Sequence, residues 1–257
     1  MQDFSLPEQR RQHILELLAT HGKVIATELS IALGVSEDTV RRDLKELDSA
    51  GLLCRVHGGA LPATIVAQSF SQRRLLPMES CQSLVAAVEP LLKDGQMIFM
   101  DSGTTLELLA RHLPQDRCLT VVTASPPVMM ALQDHGQIEV IMLGGKLNKT
   151  TMSAVGGEVL EALGKMRFDL CLLGVCGIHP QLGVMASDYD EAQVKRLAIM
   201  QAREVVALGT ADKLEATAPF KIAEVEALAY LLTDAQATDQ MLERYRLAGI
   251  CVVRGEA

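Results

Sequence analysis

Three cations, Arg41, Arg42 and Lys45, fall within five residues of one another in the run Val-Ser-Glu-Asp-Thr-Val-Arg-Arg-Asp-Leu-Lys that begins at Val35. Clustered cations meet phosphate oxygens. Arginine has a second use, because its planar fork matches the O6 and N7 acceptors on a guanine edge. Which of the two each arginine does stays open at this level. Ser36, Glu37, Asp38 and Thr39 stand just ahead of them, polar side chains able to reach a base edge or a backbone phosphate. A second polar cluster, Asp101-Ser102-Gly103-Thr104-Thr105, combines hydroxyls with a glycine that lets a ligand come close to the backbone. At the start of a helix, its free amides and hydroxyls would form a set of donors for a phosphate. Ordinary helix capping explains the same residues.

The elements that must position the first cluster can be read from spacing. Over residues 9–19 the apolar Ile14, Leu15, Leu17 and Leu18 recur with helical period, and His21-Gly22 supplies a stop. A second helix begins near Thr27, whose hydroxyl can cap residues 28–33, and ends at Gly34, which suits a tight turn. Ser36 then caps a third helix. In it Val40, Leu44 and Leu47 form a buried stripe at i, i+4 and i+7, leaving Thr39, Arg41, Arg42 and Lys45 facing outward. Gly51 closes that helix, residues 52–56 read as a short strand, and Gly58-Gly59 marks a sharp turn. The result is a helix-turn-helix followed by a wing, on which Arg55 and His57 would touch the sugar-phosphate backbone. A solvated face with Glu37, Asp38 and Glu46 in i,i+4 pairs is the plainer account of the cations, and a protein-docking surface is another. The preceding helix, the Gly34 turn and the wing together favour a helix lying in the major groove.

Residues 61–77 mix Pro62, Ser69, Ser71, Arg73, Arg74 and Pro77 without a sustained period and read as a linker. This divides the chain into a DNA-binding domain at 1–60, the linker at 61–77 and a larger domain at 78–257. In the last, strand-length apolar runs at 96–100, 119–123, 138–143, 169–174, 204–208 and 227–232 alternate with helical stretches. Those stretches fall at 80–92, 104–113, 126–133, 158–164, 189–202 and 239–248. Such alternation predicts an α/β layer around a mainly parallel sheet. The Asp101 cluster follows the first of these strands, Thr123 ends the second, and Gly144 and Gly145 follow the third. Loops of this kind converge at the carboxyl edge of a parallel sheet, where α/β proteins bind ligands. Lys213, after the fifth run, could add a cation there. Glu191 and Lys195, four apart on one helix, read equally well as a surface pair.

Ser36, Thr39, Val40, the Arg-Arg-Asp-Leu of residues 41–44, Gly51 and the Arg-Val-His-Gly-Gly-Ala of residues 55–60 closely resemble the helix-turn-helix and wing of the DeoR/GlpR family of bacterial metabolic regulators. The resemblance runs on through Asp101 to Thr105, Thr123, Gly144-Gly145, residues 153–156 and 174–178, Glu191, Lys195-Arg196 and Lys213. It implies a winged helix-turn-helix joined to an α/β sensor domain similar in fold to ribose-5-phosphate isomerase. It also implies a function: sequence-specific repression of a carbohydrate-metabolism operon by a homodimer or homotetramer, relieved by a phosphorylated sugar or related metabolite. Two departures leave the metabolite unnamed. Thr123-Ala124 stands where many members have Thr-Asn, and Thr210-Ala211-Asp212-Lys213 replaces an Asp-x-Ser-Lys pattern.

Composition bounds the other function classes. The net charge of −8 is shared out as seven Lys and Arg against nine Asp and Glu in residues 1–60, with the rest of the chain also acidic. Any DNA contact must therefore come from locally clustered cations, not from a basic domain. Six cysteines lie scattered among aliphatic neighbours without a C-x-x-C pair or a histidine at zinc spacing, and read as reduced core thiols with no metal. Neither a Walker loop nor G-x-G-x-x-G occurs, and no cofactor is implied. A sugar-phosphate isomerase is the rival from another class, but the isomerases this domain resembles carry paired acids in an Asp-Gly-Ala-Asp loop. Here the loop reads Gly174-Val175-Cys176-Gly177, and Glu191 alone is no acid pair. No apolar run approaches the roughly 20 residues of a bilayer crossing, and the polar, acidic start lacks the apolar core of a secretory signal. The cytoplasm is the expected compartment.

Overall fold

The computed structural model describes residues 7–21, 24–50, 52–56, 58–62, 69–74, 84 and 86–255. They fall into two units, one of Met1–Gln68 with Ala216–Ala218 and one of Ser69–Glu215 with Pro219–Ala257.

In the first unit α1 (Pro7–His21) is followed by β1 (Val24–Ile25), α2 (Ala26–Leu33), α3 (Glu37–Ser49), β2 (Leu53–Val56) and β3 (Gly59–Pro62). Ile14 and Leu18 of α1, Leu29 and Leu33 of α2, and Val40, Leu44 and Leu47 of α3 close one apolar core. Gly34 takes φ +65° at the end of α2, the left-handed turn expected there, and Ser36 caps α3 by accepting from the Thr39 amide at 3.2 Å. Thr27 does not cap α2. The helix starts at Ala26, directly after β1, and the Ala26 N–H donates to the Gly58 carbonyl at 2.8 Å. That carbonyl is in place because β1 pairs with β3, Val24 opposite Ala60 and Ile25 opposite Gly59, in a sheet ordered β1-β3-β2. A helix's first amides need an acceptor, and here the turn of the wing supplies backbone where a side chain was expected.

In the stretch read as a linker, β3 runs on to Pro62, and α4 (Phe70–Arg73) forms with Ser69 and Gln72 as a capping box. Residues 63–68 and 75–77 lie outside the described residues. So do residues 80–83 and 85 of the helix expected at 80–92; residues 84 and 86–88 are helical and Glu89–Leu91 is a single 3₁₀ turn.

The second unit continues with β4 (Met97–Met100), α5 (Thr104–His112), β5 (Leu119–Thr123), α6 (Pro126–Ala131), β6 (Ile138–Met142), β7 (Lys146–Asn148), β8 (Ser153–Val155), α7 (Gly157–Gly164), β9 (Phe168–Gly174), β10 (Gly177–His179), β11 (Gly183–Ala186), α8 (Tyr189–Gln201), β12 (Ala202–Leu208), β13 (Phe220–Ala223), β14 (Tyr230–Thr233), α9 (Asp239–Leu247) and β15 (Cys251–Arg254). Seven strands make a sheet of order β15-β14-β12-β9-β4-β5-β6, every pair of neighbours parallel. Successive side chains of a strand point to opposite faces, so one strand serves two cores. Ile98, Met100, Leu170 and Leu172 pack with α5 and α6 on one face. Phe99, Cys171 and Leu173 pack with α7, α8 and α9 on the other. The expected α/β class and parallel sheet are thus present. From β4 the chain steps outward to β5 and β6, then returns to lay β9 on the other side of β4. The sheet therefore reverses direction between β4 and β9, and at such a reversal a crevice opens at the carboxyl ends of the two strands.

The expectation for the cysteines needs correcting. Cys171 is buried, but Cys118 and Cys251 are exposed and Cys176 is half-buried, so these thiols are not all core residues. Cys118 precedes β5 and Cys251 opens the edge strand, positions where one side faces solvent. Among the described residues no group of His, Cys, Asp and Glu is arranged to hold a metal, and no helix is long and apolar enough to cross a membrane.

Candidate functional site

On α3 the buried set is Val40, Asp43, Leu44 and Leu47, while Asp38, Arg41, Arg42 and Lys45 form an exposed set, with Glu46, Asp48 and Ser49 also exposed toward the helix end. Each set repeats at i, i+3, i+4 and i+7, so they occupy opposite sides of one helix. Glu37 and Thr39 are half-buried at its start, where Ser36 and Thr39 hydroxyls lie 2.9 Å apart. Arg41 donates to Glu37 at 2.9 Å on the surface, a weak pair that another anion can displace. Arg55 is exposed on β2, and its amide donates to Asp48 at 3.2 Å, which ties the wing to the last turn of α3. His57 lies outside the described residues.

Sequence reasoning passed over Asp43. Its carboxylate is 2 % exposed, with Arg10 Nε donating to one oxygen at 2.5 Å and Arg11 Nε to the other at 3.1 Å. Arg11 also pairs with Glu46. α1 and α3 are therefore joined by a buried, hydrogen-bonded ion group in addition to their apolar contact. The signal was present in the sequence as a charged residue three positions after Val40, on the apolar stripe.

In the second unit, Asp101 and Ser102 follow β4 and Gly174 ends β9, so they flank the reversal of the sheet. Lys195, from the middle of α8, donates to the Asp101 carboxylate and to the Gly174 carbonyl, the latter at 2.8 Å. The Gly174 amide donates back to Asp101 at 3.0 Å. A Cβ on Gly174 would lie 2.7 Å from the Ser102 carbonyl oxygen, so only glycine permits this approach. One turn earlier on α8, Glu191 accepts from the Ser102 hydroxyl at 2.9 Å and stands 3.4 Å from the Lys195 ammonium. Asp101, Ser102, Glu191 and Lys195 are each at most 5 % exposed, so Glu191 and Lys195 are no surface pair. Burial pushes the Asp101 carboxyl above its ordinary range, against the opposing pull of Lys195. Burial alone would lower Lys195, but the Asp101 and Glu191 carboxylates outweigh it and hold the ammonium protonated well beyond its usual range.

Gly103 sits at the N-cap of α5 with φ +127° and ψ 160°, a conformation open to glycine, and offers the helix no capping side chain. Thr104 and Thr105 form the first turn, half-buried. The other expected residues are more dispersed. Thr123 is fully buried, and its hydroxyl accepts from the Ser125 amide at 3.1 Å, a local turn bond. Gly144 and Gly145 are exposed on the way into β7. Lys213 lies on the 3₁₀ turn after β12 and pairs with Asp212 at 2.6 Å. Asp212 is held below its ordinary range: its burial is outweighed by hydrogen bonds from Lys213 and Thr210.

Comparison with known proteins places these two sites in context. Residues 10–65 match the DeoR-like helix-turn-helix domain and residues 79–235 the DeoR C terminal sensor domain. The chain is 33% identical over 254 residues to the HTH-type transcriptional regulator GlpR of Haloferax volcanii, covering 98% of this chain and 99% of that one. It is 34% identical over 242 residues to the HTH-type transcriptional repressor GlcR of Bacillus subtilis, 92% and 93% of the two chains. It is 30% identical over 228 residues to the glycerol-3-phosphate regulon repressor of Escherichia coli, 88% and 90%. Among solved structures, ribose 5 phosphate isomerase A from Neisseria gonorrhoeae is similar over 52% of each chain, with 12% identity and a TM-score of 0.40.

Proposed function

Because the chain belongs to the DeoR family of transcriptional regulators, we propose that it represses a carbohydrate-metabolism operon by holding operator DNA with α3, and that it lets go when a phosphorylated sugar or related metabolite binds. The observation that carries this reading is the two-sided α3. Its apolar stripe is spent on the protein's own core, while Asp38, Arg41, Arg42 and Lys45 are presented outward beside a wing. A helix so placed fits the major groove, with Arg55 on the wing near the phosphates. One such head meets few base pairs, so two or more copies act together, heads about 34–36 Å apart on successive grooves.

The effector side of the proposal rests on the reversal of the sheet between β4 and β9. The N-terminus of α5, with Thr104 and Thr105 in its first turn, follows β4 directly and so stands at that edge, where the helix dipole favours an anion. Asp101, Ser102, Glu191 and Lys195 lie beside it, and Thr123, Gly144, Gly145 and Lys213 stand on neighbouring strand ends. The chain works as a regulator and not as an enzyme: relatives spanning nearly its whole length carry regulator names, and the loop between β9 and β10 holds no carboxylate for proton transfer. Its place of action is the cytoplasm, where promoter and phosphorylated metabolites meet.

The test is operator binding by full-length protein to DNA from upstream of its own gene, followed by anisotropy. Arg41→Ala or Arg42→Ala weakens specific binding by about 1–3 kcal/mol where a bidentate base contact is lost. A loss shared equally by unrelated DNA marks that arginine as a phosphate contact. Wild-type affinity in both variants would remove α3 as the reading helix. A thermal-shift screen of sugar and polyol phosphates, then operator release by any stabilising compound, tests the effector half.

A further inference from the structure

Asp101, Glu191 and Lys195 form a buried group whose formal charges do not cancel, two carboxylates against one ammonium. Lys195 is committed to Asp101 and the Gly174 carbonyl, and Ser102 is committed to Glu191 Oε1. The second oxygen of that carboxylate, Glu191 Oε2, is buried and accepts no hydrogen bond. A buried anionic oxygen without a donor is costly, and a protein tolerates it where something else completes it. A phosphate cannot. It brings more negative charge to a group already in excess, and a phosphate monoester has lost most of its donor protons at neutral pH.

Resting on the effector reading above, we propose that the site is divided by chemistry. The phosphate end of the effector lies at the Gly103-capped N-terminus of α5, and Glu191 Oε2 accepts a hydrogen bond from a hydroxyl on the effector's carbon chain. Glu191 is then the residue that separates a phosphorylated polyol from phosphate itself. Its partners fit that task. Ser102 and Lys195 hold Oε1, which fixes the rotation of the carboxylate, and the Asp188 side chain accepts from the Glu191 amide at 2.9 Å, fixing the start of α8.

Calorimetric titration of the full-length protein distinguishes the outcomes. Counting hydroxyls on carbon only, the hydroxyl-bearing probes are glycerol 3-phosphate and D-fructose 6-phosphate, and the hydroxyl-free probes are n-propyl phosphate and inorganic phosphate. Wild type is expected to bind at least one hydroxyl-bearing probe roughly tenfold or more tightly than either hydroxyl-free probe. Glu191→Gln keeps the size of the side chain and an oxygen for Ser102, but turns an N–H donor toward the incoming hydroxyl. It is expected to abolish most of that preference while binding n-propyl phosphate and inorganic phosphate at least as tightly as wild type does, because one buried negative charge is gone. Equal weakening of all four probes, or a preference left intact in Glu191→Gln, overturns the division of the site. So does a wild-type protein indifferent to the hydroxyls, a result that needs no variant to fold. A wild type that binds none of the four fails earlier, and removes the effector reading itself.

Discussion

The Asp43 carboxylate is closed off in the same turn of α3 that presents Arg41 and Arg42 to solvent, and it takes one guanidinium on each oxygen. Removing one member of a buried, hydrogen-bonded ion group leaves its partners desolvated without their counter-charge. Asp43→Ala is therefore expected to destabilise the N-terminal unit by about 3 kcal/mol, read as a shifted midpoint in urea unfolding. A change under about 1 kcal/mol would mean that Arg10 and Arg11 find other acceptors at no cost. At this scale sequence and structure part company for a definable reason. Types and local spacing were legible: the Ser36 cap, the Gly34 turn and the outward cations all follow from residues within one turn of each other. Burial was legible only where it is periodic. Glu191 and Lys195 look like any i,i+4 surface pair until Asp101, 94 residues from Lys195, is brought against them.

Between elements, the long apolar runs of the sheet were readable because a parallel strand buried on both faces has little choice of composition. β7, β8, β10, β11 and β13 were not, being three or four residues each and defined by pairing more than by pattern. β15 was missed as well, a sheet edge with only Val252 and Val253 between Cys251 and Arg254. α4 was hidden inside a stretch read as linker. It is anchored twice within its own unit: the Phe70 amide donates to the Thr150 carbonyl at 2.8 Å, and Arg74, just beyond its end, pairs with Glu107 of α5 at 3.0 Å. Glu107 is 4 % exposed and also takes Arg111 at 2.6 Å. The helix proposed to receive phosphate at its start thus grips, one turn later, the segment that follows the reading head in the chain. Arg74→Ala or Glu107→Gln is expected to reduce the coupling between effector and operator by about 0.5–2 kcal/mol, with effector affinity in the absence of DNA near wild type. Full operator release by both variants would place the linkage elsewhere.

Taken whole, the protein is an acidic molecule that meets an anion, carrying −8 overall. Of the seven Lys and Arg in residues 1–60, this reading sets Arg41, Arg42, Lys45 and Arg55 against DNA, so a pair of heads brings eight cations to phosphates. Operator affinity should then fall with salt along a log–log slope no steeper than about −7, measured by anisotropy between 50 and 200 mM salt at roughly −0.9 per phosphate. A slope near −10 would demand a basic surface that these residues do not provide. The reversal of the sheet has a further consequence, in time. The reading head is finished at Pro62, whereas β9 reaches β4 only after a long excursion through β5 and β6, and Lys195 is added about 130 residues behind the wing. At 5–20 residues per second on the ribosome that gap lasts roughly 7–26 s. For that interval each newborn chain has a finished head and no sense of taste, and only its need for a second copy keeps it from holding the operator deaf to the metabolite.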